Sequence, residues 1–130
     1  MLPNTIVYFS KTNNVNSDFT VKYRFRTSQE GGRKTPVAQG YRSDFWYYHD
    51  ENNENQLYMI WPIFRDENGV IIRDAEIIRN EGIAGMRIVS DQWVKYHKSR
   101  IKIGTKGYFM EGAIRVAECE VIELGNRLKE

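Results

Sequence analysis

The residues of this chain best placed to do chemistry are cations set in rows. Lys22, Arg24 and Arg26 recur at every second position, with Phe19, Val21, Tyr23 and Phe25 between them. Lys98, Arg100 and Lys102 repeat the spacing in line with Tyr96, and no acidic residue lies between Lys95 and Lys106. A period of two puts each row on one face of a β-strand. Same-face side chains on a strand stand about 6.7 Å apart, close to the phosphate spacing of a nucleic acid. Such a row can hold a phosphate backbone. It can equally be a solvated strand face whose charges discourage edge-to-edge aggregation.

Other reactive side chains do not converge in the sequence. His49 and His97 are far apart, and the single cysteine, Cys119, sits in an apolar run, which suits a buried small side chain better than a nucleophile. Ser43 and Asp44 beside Arg42 lack the oriented base that a hydroxyl nucleophile needs. Glu118 and Glu120 fall on one strand face, as many solvated carboxylate pairs do. The expectation is a protein without catalysis, metal or cofactor.

These residues are carried by 130 positions, enough for one domain, with 41% hydrophobic and 13% aromatic residues and a net charge of +2. The aromatic content favours strands. The charge does not by itself announce nucleic acid. One cysteine leaves no internal disulfide and points to a reducing compartment. Met1–Ser10 lacks a basic, apolar signal pattern, and no apolar run approaches the roughly 20 residues that span a bilayer. The expectation is therefore a soluble cytoplasmic protein with no membrane partner.

Along the chain, residues 1–17 read as a leader with room for a short strand at Ile6–Phe9. Phe19–Thr27 is a half-buried strand, Gly40–His49 a strand aromatic on both faces, and Gln56–Phe64 a buried strand. Asp50–Asn55 is an acidic loop, and Asn68-Gly69 a hairpin signal. Val70–Glu81 fits either a helix or two short strands. Gly82 and Gly85 bracket a turn, Met86–Ser90 and Trp93–Ile103 are strands, and Ala113–Leu124 is the last one. Residues 18–125 form the domain and 126–130 a polar tail. Many short strands with frequent turn residues predict an all-β fold, a single antiparallel barrel of about six or seven strands.

A denser signal lies between the first two strands: Glu30-Gly31-Gly32-Arg33-Lys34-Thr35-Pro36, then Gly40-Tyr41-Arg42-Ser43-Asp44-Phe45. It resembles a signature of the C-terminal β-barrel of translation elongation factor Tu, with Ser43 in place of a proline. Glu111, Gly112, Arg115 and Val116 echo that family's closing hairpin, and the resemblance spans roughly Asp18–Leu124. It implies the barrel fold, favours strands over Val70–Glu81, and implies a link to translation. In that family the barrel helps hold the T-stem backbone of aminoacyl-tRNA, and the corresponding positions here are Lys34, Asp44 and Glu118. Lys34 suits phosphate, whereas the two carboxylates repel it. The phosphate-cradling Gly-x-x-x-x-Gly-Lys-Ser/Thr loop is absent from the sequence, so no specific GTP or ATP binding is expected. Arg33, Tyr41 and Arg42 match fixed positions and read as contacts to a partner or as braces of the loop. Two functions remain: a protein-interaction module docking through loops or an aromatic patch around Phe45, Trp46, Tyr47 and Tyr48, or an RNA-associated domain using the basic rows.

Overall fold

The structure, a computed structural model, describes residues 17–50 and 56–129. The expected leader strand at Ile6–Phe9 and nearly all of the acidic loop lie outside the described residues. The rest is mainly antiparallel sheet with little helix. The strands are β1 (Phe19–Phe25), β2 (Asp44–Tyr47), β3 (Ile60–Arg65), β4 (Glu81–Ile88), β5 (Lys106–Glu111) and β6 (Ile114–Leu124). They form one six-stranded sheet in the order β2-β5-β6-β1-β4-β3. The sheet curls into a half-barrel, and its edges touch where Phe45 and Tyr58 exchange both backbone hydrogen bonds at 2.9 Å. No helix among the described residues is long and apolar enough to cross a membrane.

Period-two alternation carries the packing. Phe19, Val21 and Tyr23 point inward from β1 and meet Phe45, Tyr47, Phe64, Met86, Phe109 and Val121 in one core. Lys22 stays exposed between them. Inside the core, Tyr23 meets Phe64 and Phe25 edge-on, at 5.2 and 5.5 Å between ring centres. Aromatic pairs of this geometry add to the burial term.

Three stretches differ from the sequence expectation. Trp93–Ile103 is no strand: Asp91–Trp93 is a 3-10 turn, Val94–Lys98 a short α-helix (α1), and the chain then turns. The reason is the spacing of its inward side chains, buried His97 and Ile101 and partly buried Val94, which follows the helical period. Gly82 and Gly85 lie inside β4 rather than at a turn. A Cβ on Gly82 would stand 2.8 Å from the Tyr23 hydroxyl, so the strand yields room to a core ring. Val70–Glu81 is neither helix nor full strand. It is held by single bridges from Ile71 to Arg65 and from Ile77 to Ala38, with a turn between them at Asp74-Ala75, where Ala75 has a φ of 67°.

The Gly31-Gly32 pair works differently at its two positions. Gly31 ends a 3-10 turn, Ser28–Glu30, with φ of 92°. Gly32 is constrained by space, since its Cβ would fall 2.8 Å from the Arg26 carbonyl carbon. Gly32→Val is therefore expected to cost on the order of 1–3 kcal/mol through overpacking against backbone. Urea midpoints would show it, and an unchanged midpoint would mean that the loop shifts freely.

After β6, residues Asn126–Lys129 form a one-turn helix, α2. It buries Leu128 and brings Arg127 against Asp18, at 2.6 Å from Nε to Oδ1 and 2.9 Å from Nη2 to Oδ2.

Candidate functional site

The first basic row lies on the outer face of β1, as its alternation predicts, but it is not an open cationic stripe. The pairing register sets Lys22 opposite Glu120 and Arg24 opposite Glu118 on β6. Lys22 reaches Glu120 at 3.6 Å, and Arg26 reaches Glu118 at 3.3 Å. Arg24 meets Glu118 at 3.3 Å and Glu30 at 3.1 Å. The Arg24 guanidinium and the Thr27 amide hold the Glu30 carboxyl below its ordinary value. Exposed pairs of this kind contribute little stability, but they neutralise the face. Lys22, Arg24, Glu118 and Glu120, with Tyr48, Lys106 and Tyr108, line a groove of about 520 Å³ that carries both signs of charge.

The loop motif closes on itself. Arg33 pairs with Glu111 at the end of β5 and donates to the Thr35 carbonyl at 3.1 Å. Tyr41 donates its hydroxyl to the same Glu111 carboxylate, and burial, with that bond second, pushes its phenol upward. The two side chains thus tie the loop to the β5–β6 hairpin. Arg42 lies exposed over the Trp61 ring, 4.5 Å from its centre, and Lys34 is exposed to solvent. Buried Gln39 braces the loop from below. Its amide donates to Phe64 and Ile72 carbonyls at 2.9 and 2.7 Å and accepts from the Phe64 amide at 2.9 Å.

The aromatic block divides by face. Phe45 and Tyr47 point into the core, while Trp46 and Tyr48 point outward. Outside, Trp46 meets Tyr48 at 4.4 Å and Tyr108 at 5.9 Å. The Arg115 guanidinium covers Tyr108 at 4.5 Å, and Arg26 approaches the same ring at 5.5 Å. Among the described residues no carboxylate pairs with Arg115. Tyr48 is 50% exposed at the patch's rim. Its phenol is raised, chiefly by the hydrogen bond to the Tyr108 hydroxyl at 3.3 Å. Arg115 escapes a sequence reading because only the β5–β6 pairing brings it beside Tyr108.

The second basic row belongs to a helix end and loop. Lys98 closes α1; Arg100 and Lys102 follow it in turn and loop rather than on a strand face. The Arg100 guanidinium stacks on Tyr96 at 3.7 Å, and its Nη1 donates to the Tyr96 carbonyl at 2.8 Å. Beneath lies a hydrogen-bonded cluster. Tyr47 and His97 Nδ1 share a bond of 2.7 Å, and the Tyr58 hydroxyl lies 3.1 Å from both the Tyr96 hydroxyl and His49 Nε2. Burial first, then the neighbouring His49 and Arg100, lowers His97 from 6.5 to about 4, so it is neutral at pH 7. Burial likewise drives the Tyr47 phenol and the Cys119 thiol upward, which leaves both protonated. Above the cluster His49, Asp50, Ser99, Arg100 and Lys102 line an open pocket of about 370 Å³. Among the described residues no group of three or more His, Cys, Asp or Glu side chains could hold a metal ion.

No protein-family model matches the sequence, and no curated protein matches it.

Proposed function

We propose that this barrel, which resembles the C-terminal domain of elongation factor Tu, is a module that docks a protein partner without catalysis. The docking surface is the outer patch of Tyr48, Tyr108 and Arg115, lying over the buried Trp46 ring. The observation that carries this reading is a contrast within one outer face, whose groove Tyr48 and Tyr108 line together with Glu118 and Glu120. The β1 cations Lys22, Arg24 and Arg26 already meet Glu118, Glu120 and Glu30, whereas Arg115 lies over the Tyr108 ring with no ion pair among the described residues, and Tyr48 beside that ring is half exposed. Trp, Tyr and Arg are the side chains that most often dominate binding energy at protein interfaces. A polyanion along β1 would have to displace the pairs or meet Glu118 and Glu120 directly, which disfavours RNA on that face. The motif resemblance supports the barrel relationship through residues that brace the loop here, Arg33 and Tyr41 on Glu111.

The test begins with a photo-crosslinking residue at position 108 to identify the partner, followed by titration of the purified partner. Tyr48→Ala and Arg115→Ala are each expected to weaken that complex about tenfold or more while the fold is retained. Added salt is expected to change affinity only modestly, as befits a largely desolvated contact. If the dominant ligand is instead RNA, with a steep salt slope that Lys22, Arg24 and Arg26 reversals flatten, this reading fails.

A further inference from the structure

We infer that the docked partner presents an acidic side chain whose carboxylate is received by Arg115, beside the Tyr48 and Tyr108 hydroxyls. This rests on the docking reading and adds the chemistry of what is docked.

The unspent donors of the patch are the first support. The Arg115 guanidinium lies 4.5 Å from the centre of the Tyr108 ring and 5.8 Å from that of Trp46. A guanidinium only donates, and among the described residues Arg115 enters no hydrogen bond or ion pair. The Tyr48 and Tyr108 hydroxyls share one bond, at 3.3 Å. Whichever of them donates in it, the other keeps a proton with no acceptor among the described residues. The Tyr48 phenol is raised first by that bond, and the Arg115 charge acts against the rise, so the guanidinium stands within electrostatic reach of the hydroxyls. A cation with all its donors free, next to a phenol with one to give, suits a carboxylate, which only accepts.

The second support is the other arginine on the same ring. Arg26 approaches Tyr108 at 5.5 Å, but its Nε donates to Glu118 at 3.3 Å. The chain supplies a carboxylate to one arginine of this ring and none to the other. Stacking also holds the Arg115 plane, so little freedom is lost when its fork meets a carboxylate. A carboxylate fits better than a phosphate. Glu118 and Glu120 line the adjoining groove together with Tyr48 and Tyr108, and a dianion meets roughly twice the repulsion from them.

The experiment selects short random peptides, displayed on phage, against the whole chain. Those that lose binding to Tyr48→Ala are kept, and one is synthesised for titration. Asp or Glu is expected to be enriched among them. Replacing that acid by its amide should weaken binding to the parent chain about tenfold and change little on Arg115→Met. A charge exchange guards against a damaged fold: Arg115→Glu should bind the peptide carrying Lys in place of the acid about tenfold better than the original peptide. Four results would overturn the inference while leaving the docking reading in place. They are Tyr48-dependent peptides without an acid, an acid that matters equally on Arg115→Met, a charge exchange that restores nothing, and a phosphoserine peptide about tenfold tighter than the acidic one. A selection that yields no Tyr48-dependent peptide would overturn the docking reading and this inference together.

Discussion

Lowering the pH from 7 to 4 is expected to cost the fold about 3 kcal/mol through His97 alone. The imidazole is 1% exposed and shares a hydrogen bond with Tyr47. Its value falls from 6.5 to about 4 in the folded chain, with burial as the first cause. In the unfolded chain the same group titrates near 6.5. Between those values the unfolded state binds the extra proton and the folded state does not. Stability from this group is therefore fully present above about pH 6.5, declines as the pH falls, and is gone near pH 4. Carboxylates titrate near the lower end of this window, so the comparison must be differential. Urea unfolding of the parent chain and of His97→Gln at pH 7, 6 and 5 isolates the contribution. The stability gap between them should narrow by about 2 kcal/mol on reaching pH 5. A gap that does not change with pH would mean that His97 charges freely in the folded state.

The other large effect is expected at the end of the sheet. The Asp18 side chain is 1% exposed and accepts from two nitrogens of Arg127 and from the Ile88 amide at 2.8 Å. Arg127 also donates to Asp91 at 2.8 Å, so one side chain ties α2 to β1 and to the turn before α1. Arg127→Met leaves a buried carboxylate without its cation, at an expected cost of about 3 kcal/mol. In an Asp18→Asn background the same replacement should cost far less, because no buried charge remains to be orphaned. The two single variants and the double variant form a cycle, and a coupling energy near zero would show that the pair does not act as a unit.

What the sequence could reveal depended on how local the cause was. The strand at β1 was legible because Phe19, Val21 and Tyr23 alternate with Thr20, Lys22 and Arg24. The Asn68-Gly69 turn was legible because its chemistry is confined to a few residues. Trp93–Ile103 was misread as a strand because its lysines and arginine also alternate. The deciding signal was the spacing of Val94, His97 and Ile101, one of which is a histidine that does not count as apolar until it is seen buried. Gly82 and Gly85 read as turn markers by residue type, whereas Gly82 accommodates Tyr23 from a neighbouring strand. The site followed the same rule. The outward cations of β1 were visible, but their neutralisation by Glu118 and Glu120 depends on a register between distant segments. The cations after α1 were visible as a run without acids, and only the turn geometry collects Arg100 and Lys102 beside His49.

The position of β6 carries a consequence in time. The last strand along the chain lies at the middle of the sheet, between β5 and β1. Before it emerges from the ribosome, β1, β4 and β3 form one ladder and β2 with β5 another, joined only across the short Phe45–Tyr58 bridge. Each partial sheet then presents an unpaired edge where β6 will insert, the kind of edge that recruits strands from other chains. Completion waits for contacts such as Arg24 with Glu118, far apart along the chain, and such contacts slow folding. The nascent protein should therefore become protease-resistant only after residue 124 has cleared the exit tunnel, in a single late step rather than strand by strand.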